Sequence, residues 1–421
     1  MARRVLLVSS MVLTLFGCSY NNVEVVKPGE PVLTLLSDAN VGKGAVNWLM
    51  IHDARGNLLS AQKYVPGDAV VATSNAVKAG DIVSVTFMQY SITQGYGGYT
   101  YNLSTYLNIL VHDTWTSQIL TSPQNDRTYL GSFKVTAMGF PITSRINISN
   151  VYGGFASFLF DGSTASYATD LGVDTGTKNF FVSCRDPQGN LEYKFLPNIQ
   201  TGDEYIIGPT DLQAAESSMQ VPLTGMTNYF LNVAGVPSSE SPAVNGYIAH
   251  YDYMESPLPA SVSIWFPAVF TSFRTTLGMT NSNGTYYFNS VGPKPNDIAM
   301  PTNQVFKITN RTIQNFQLTG NSDFQRRTST WEFHNWQHGE NPALMVDIVW
   351  TVYSPLGADQ KILQLPSNFG SVYPDLKLDK LIHTGTTLGL QGSTTYDELI
   401  TGSFKGQSPT VRQTYYSVRL N

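Results

Sequence analysis

His334 and His338 stand four residues apart, with Glu340 two further on, and no other grouping in this 421-residue chain suggests metal chemistry so directly. On a helix, residues four apart face the same way and can share an ion. The surrounding sequence, STWEFHNWQHGENP, is rich in aromatic and turn-forming residues and reads as strand and loop. In an extended chain the two imidazoles sit roughly 13 Å apart, outside one coordination sphere. They are therefore read as polar surface histidines, and no metal or other cofactor is expected.

Two local His/Asp pairs, His52-Asp53 and His250-Tyr251-Asp252, have the composition to orient a general base. A triad also needs a nucleophile, and no G-x-S-x-G is present to supply one. Cys184 falls on the apolar phase of FFVSC and is expected to be a small buried residue rather than a reactive thiol. Asp161, Asp170 and Asp174 match no calcium-loop spacing and read as solvated turns. Carboxylate pairs for glycoside hydrolysis meet only in a fold, and nothing in the sequence nominates one. No catalytic residue is assigned.

The strongest binding signal is QGYGGYTY, in which glycines present Tyr96, Tyr99 and Tyr101, with Trp331 and Trp336 as a possible extension elsewhere. Exposed rings of this kind suit stacking on sugars or on a protein partner. The alternative is that these rings fill cores, as aromatics in strand-rich proteins commonly do.

One stretch recurs. Asp53-Ala-Arg-Gly-Asn57 returns 133 residues on as Asp186-Pro-Gln-Gly-Asn190, and Ser354-Pro-Leu-Gly357 follows an alternating strand as a third variant. Asp, Pro and Gly at these places suit a type I turn followed by a left-handed glycine, the connection of a β-hairpin. Only the glycine persists in all three, so the motif is read as a turn and not as a site. Gly67-Asp68 and Gly202-Asp203 each follow their turn at a similar distance, which suggests two related units.

The flanking strands alternate: Phe180, Val182 and Cys184 against polar neighbours, then Leu191, Tyr193 and Phe195 against Glu192 and Lys194. Asp161-Gly162 and Asn283-Gly284 add hairpin signals, and long helical periods are absent, with Asp211 to Met219 the one modest helix candidate. Short strands punctuated by Gly, Pro and Asx turns predict an all-β chain of tandem antiparallel β-sandwich modules. The turn spacing places one module at 31–125, a second at 130–238 and one or two more at 239–421.

The first residues, MARRVLLVSSMVLTLFGCSY, put Arg3 and Arg4 before an apolar run from Val5 to Phe16. That run is short of the roughly 20 residues a membrane-spanning helix needs, so it reads as a signal peptide. Leu15-Phe16-Gly17-Cys18 resembles the lipobox of bacterial lipoproteins. The resemblance implies removal of residues 1–17, acylation of Cys18, a linker over 18–30, and attachment to the bacterial outer membrane through the N-terminal lipid, facing either the periplasm or the exterior. With Cys18 acylated, Cys184 is the one thiol left of two cysteines, so stability rests on burial. A net charge of −5 with no basic stripe argues against a nucleic-acid partner.

A lipoprotein leader followed by strand, D-x-x-G-N hairpin and strand resembles the immunoglobulin-like or transthyretin-like modules of bacterial surface lipoproteins, and in pattern it is similar to fimbrillin-type pilus subunits. In fimbrillins a basic residue between the cysteine and the first strand is cut to release an assembly strand; this interval offers Lys27 and no arginine. The sequence therefore points to a lipid-anchored envelope protein with a structural or binding role, whether in adhesion or toward a glycan or protein partner. A pilus-assembly subunit and a polysaccharide-processing enzyme are the alternatives.

Overall fold

A computed structural model describes residues 29–93, 98–117, 128–152, 155–237, 246–335, 345–358, 363–405 and 413–420. Cys18, Tyr96, Trp336, His338 and Glu340 lie outside them. The chain is all-β and built of sandwiches. In the first, β1 (Glu30–Ser37) pairs antiparallel with β4 (Ala69–Ser74) and parallel with β7 (Asp113–Ser117). The facing sheet runs β3 (Leu58–Tyr64), β2 (Val46–Asp53), β5 (Ile82–Thr93) and β6 (Gly98–Leu110).

The second sandwich repeats this order strand for strand. Here β8 (Tyr129–Met138) lies between β11 (Ser166–Asp174) and parallel β14 (Glu204–Ile207). Facing it are β10 (Phe155–Leu159), β9 (Arg145–Ser149), β12 (Phe180–Arg185) and β13 (Leu191–Leu196), with β15 (Gln213–Ala214) at the edge. The first strands, at Glu30 and Tyr129, begin 99 residues apart, whereas the two turns lie 133 apart.

The recurring turn therefore does not mark the period: DARGN joins β2 to β3, whereas DPQGN joins β12 to β13, the counterparts of β5 and β6. The two turns are nevertheless the same object. In each the glycine amide donates to the aspartate carbonyl at 3.0 Å, Asn side chain and backbone donate to the Asp carboxylate, and Gly56 and Gly189 sit at φ +88° and +85°. Only glycine adopts that conformation at no steric cost. The third turn, at Gly357, closes no hairpin, because β25 (Val346–Ser354), which enters it, pairs on its two sides with β24 (Arg326–Asn335) and β6.

That last pairing is parallel, from Val346 beside Tyr99 to Tyr353 beside Tyr106, and it extends the first sandwich into a sheet of 12 strands. Beyond β24 come β26 (Ile382–Gly389), β27 (Thr414–Leu420), β21 (Gly284–Gly292), β20 (Ser272–Asn281), β17 (Asn228–Val236) and β18 (Tyr247–Glu255). Two short pairs lie on this sheet, β16 (Ser218–Pro222) with β19 (Ser261–Trp265), and β22 (Phe306–Asn310) with β23 (Gln317–Gly320).

Most central strands are buried on both faces. On β2, Leu49 and Ile51 enter one core with Trp115, while Met50 enters another with Trp331 and Trp350. On β12, Phe180, Val182 and Cys184 face the core of the second sandwich, and Phe181 on the opposite face joins Leu191 and Tyr193 against β17, β20 and β19. The half-exposed pattern expected for β12 is thus corrected: both faces are covered.

Asp211 to Met219 is not a helix either; a single 3-10 turn, Pro209–Asp211, leads directly into β15 and β16. Pairing of Gln213 and Ala214 with β13, and of Ser218 to Pro222 with β19, outweighs the local preference. Besides the single turn α1 (Phe369–Val372) there is a helix the hydrophobic periodicity did not flag, α2 (Tyr396–Phe404). Thr395 and Glu398 form its capping box, and Tyr396, Ile400 and Phe404 pack into the first sandwich, where Phe404 stacks on Trp115 at 4.1 Å.

At the junction of β6 and β25 the buried Thr105 hydroxyl accepts from Trp350 Nε1 and bonds the Thr86 hydroxyl, both at 2.9 Å. Thr105→Val keeps the shape and strands both partners. It is expected to lower the unfolding free energy by about 1–3 kcal/mol, read as a shifted urea midpoint at unchanged slope.

Candidate functional site

Of the proposed aromatic platform, Tyr99, Tyr101 and Trp331 fall among the described residues, and Tyr96 and Trp336 lie outside them. Tyr101 and Trp331 are fully buried in one core, Trp331 donating its Nε1–H to the Arg311 carbonyl at 2.8 Å. Tyr99 is half-buried and stacked on Tyr90 with centroids 6.1 Å apart. Both buried rings are covered by what packs on their face of the sheet, Trp331 by Phe316 and His383 and Tyr101 by Tyr90 and Tyr373.

The histidine and acid candidates become structural. His334 lies on β24, exposed, with Nδ1 at 2.7 Å from Asp347 across the strand and Nε2 at 3.3 Å from Glu332. Its pKa is raised: desolvation opposes the shift, and the two carboxylates outweigh it. Asp161 and Asp174 cap the backbone amides of Ser163 and Gly176, both at 2.8 Å. Burial pushes the Cys184 thiol up to about 12.

Each D-x-x-G-N turn turns out to be a joint with the C-terminal region. In the first, the Gly56 carbonyl accepts from Gln364 N at 2.9 Å, and buried His52 donates Nε2–H to the Gln364 carbonyl at 3.0 Å. In the second, the Gly189 carbonyl accepts from Trp265 Nε1 at 3.0 Å. Arg185, just before that turn, forms an ion pair with Asp252, which also accepts the Tyr229 hydroxyl. His250 stands beside them, its Nδ1 accepting from Trp265 N at 3.4 Å and its Nε2 without a hydrogen-bond partner. Tyr229, His250 and Asp252 are no more than 2% exposed, and the cluster holds β12 to β17 and β18, with Arg185 partly exposed at its rim. Ser149 and Ser183 add hydrogen bonds to the backbone of Ile248. Sequence reading found His250 and Asp252 but missed Arg185 and Tyr229, which no local spacing links to them.

What does open to solvent is a notch of about 460 Å³ where the Asn281–Gly284 turn meets β22. The turn residues Asn281, Ser282 and Asn283 line it together with Lys307 and Arg311, over the buried Phe306 and Leu420. The Asn281 side-chain oxygen accepts from Asn283 N at 2.8 Å, which fixes the turn, and a Cβ on Gly284 would lie 2.5 Å from the Arg419 carbonyl, so only glycine fits. Arg311 is exposed yet anchored: its carbonyl holds Trp331, and its Nη1 lies 3.1 Å from His383 Nδ1. His383 Nε2 lies 2.9 Å from Thr386 Oγ1, which is 2.8 Å from Ser329 Oγ. Burial first, and then the charge of Arg311, push the His383 pKa down to about 4. A second cavity of about 390 Å³ lies between the β22–β23 hairpin and the Gly357 turn, with the Arg327 guanidinium 5.0 Å over the Phe316 ring.

No family model matches the chain, and no curated protein does. Among solved structures it is similar to the Bacillus anthracis TIE protein at 11% identity, over 76% of this chain and 50% of that one, with a TM-score of 0.14. This chain thus spans half the length of that structure, and so low a score carries no argument about fold or function.

Burial pushes the His250 pKa down to about 4, the charge of Arg185 adding to the shift and that of Asp252 opposing it. The unfolded imidazole titrates near 6.5, so the unfolded chain takes up the proton first. Stability is therefore fully present above about pH 6.5 and falls as the pH drops toward 4, by on the order of 3 kcal/mol for this residue. Melting temperatures measured from pH 7 to 4 are expected to decline over this window, and less steeply in His250→Gln.

Proposed function

We propose that the chain is a lipid-anchored protein of the bacterial outer membrane, facing the periplasm or the exterior, whose role is to bind a glycan or protein partner on a rigid β scaffold. Anchoring is supported by Leu15-Phe16-Gly17-Cys18 after an apolar leader. Multi-chain acylation holds a protein firmly where one fatty chain does not.

The observation that carries the binding role is the division of the polar side chains. His52, His250 and Asp252, the members of the two His/Asp pairs that could act as base or orient one, are buried and tie layers together, Asp53 being fixed in its turn. Lys307 and Arg311 instead stand exposed on a notch whose walls are fixed by the sheet below. Groups that recognise a ligand belong on such a preorganised support, because ordering them then costs little at the moment of binding.

Cys18→Ser in the full chain tests the anchor. Wild-type protein is expected to incorporate a labelled fatty acid and partition into detergent. The variant is expected to lose the label and leave the membrane fraction; equal labelling of both would contradict the reading.

A further inference from the structure

Past the strands that are buried on both faces, the half of the wide sheet toward β18 alternates. In β17, β20 and β21 every second side chain enters a core, Tyr229, Leu231, Leu277, Met279 and Phe288 among them, and most of those between stay half-buried. An antiparallel sheet with this pattern has one face packed and one facing water. Strand pairing sets Tyr253, Phe230, Gly278, Tyr287 and Ser417 in one row across the open face, from β18 to β27. The next row is Tyr251, Asn232, Thr276, Asn289 and Tyr415. Neither row holds a charged residue; Glu255 and Arg419 stand at the two ends of the row beyond.

The rings on this face reach solvent. Tyr253 is 46% exposed, and Phe230 and Tyr287 are half-buried, pointing away from the core that Tyr229 and Phe288 fill. Gly278 between them is buried, and a Cβ there would lie 3.0 Å from Tyr287 Cε1, so the Tyr287 ring leans over the glycine. Apolar rings gathered on an open face mark a contact surface. Beside them, the Thr276 hydroxyl donates to Asn289 Oδ1 at 3.0 Å, which leaves the Asn289 amide nitrogen as a donor. That nitrogen and the Tyr287 hydroxyl have no partner among the described residues, and both reach solvent. Aromatic rings flanked by neutral hydrogen-bonding groups fit the sugars of a glycan, whose C–H faces stack and whose rim hydroxyls are bonded.

Two uncharged rows about 7 Å apart, across five strands about 5 Å apart, cover on the order of 200 Å². A stable protein interface takes about 800 Å² from each partner, so the strip suits a single chain of sugars better than a protein. We infer that this open face binds a neutral glycan chain, with sugar rings on Phe230 and Tyr287 and hydroxyls on the Asn289 amide and the Tyr287 hydroxyl. The inference rests on the binding reading above and is independent of the lipid anchor and of the notch. It gives that reading a ligand class, and it places the aromatic contact far in sequence from the tyrosine-rich stretch around Tyr99.

Calorimetric titration of the full chain with cellohexaose, whose all-equatorial sugars present unbroken C–H faces, and with an oligogalacturonate of equal length tests it. Cellohexaose is expected to bind with an affinity that salt leaves unchanged, and the oligogalacturonate is not. Phe230→Ala and Tyr287→Ala are each expected to weaken binding at least tenfold, and Asn289→Asp, which keeps the side chain's shape, to weaken it as well, with circular dichroism as in the wild type. Tyr129→Ala, at an exposed tyrosine of the second sandwich, is expected to change nothing. No binding of cellohexaose at millimolar concentration, or equal binding of the oligogalacturonate, overturns the glycan assignment while a protein partner remains open to the binding reading. Cellohexaose binding that survives all three substitutions on the face overturns the face alone and leaves the binding role standing. A dimer in sedimentation that Phe230→Ala and Tyr287→Ala dissolve, without cellohexaose binding, makes the face an interface between copies and overturns the assignment.

Discussion

The parallel pairing of β25 with β6 is the constraint from which the rest of the architecture follows. Left alone, β6 would be the free edge of a small sandwich, with a row of unpaired amides and carbonyls facing water. Covered by β25, it becomes the interior of a 12-stranded sheet, and residues that a lone module would expose acquire a second core. The stack of Tyr106 on Tyr353, 4.7 Å between centroids, and the Thr105–Trp350 hydrogen bond show the seam packed as tightly as any core. Parallel strands need a long connection between them, and here most of the chain intervenes.

The repeated turns fasten the layers locally: the first ties the β2–β3 margin of the wide sheet to Gln364, and the second ties the β12–β13 hairpin to β19. Each D-x-x-G-N loop exposes a glycine carbonyl that an outside donor can reach, Gln364 in one case and Trp265 in the other. The same geometry therefore recurs at non-equivalent hairpins because it solves a local problem twice, not because it marks a duplicated unit. The duplication itself lies in the strand order, which needs no sequence likeness to persist.

The sandwich class and the hairpins were legible because turn chemistry and alternation are local. Even the burial of β12 and β13 on both faces was latent. With the turn fixing the register, Phe181 pairs with Phe195, and the apolar set Phe180, Val182 and Cys184 falls opposite Glu192 and Lys194 rather than Leu191 and Tyr193. Two apolar phases in one hairpin require two cores. The α2 capping box, Thr395 to Glu398, was likewise present as a local signal, masked by the brevity of the helix. The seam between β6 and β25 and the notch were not legible, since Arg311, His383 and the Asn281 turn are joined only by long-range pairing. Tyr101 and Trp331 misled for the same reason: the neighbouring residues do not reveal the rings that pack on them from elsewhere in the chain, Tyr373 on Tyr101 and His383 on Trp331.

Amide hydrogen exchange along β6 and β25 tests the seam most directly. If the two strands form the middle of one sheet, the amides from Leu103 to Tyr106 and from Ile348 to Tyr353 exchange together, at the slow rate set by global unfolding. Protection of β25 that outlasts an early, separate opening of β2, β5 and β6 would show a first module that folds alone, and would contradict the account.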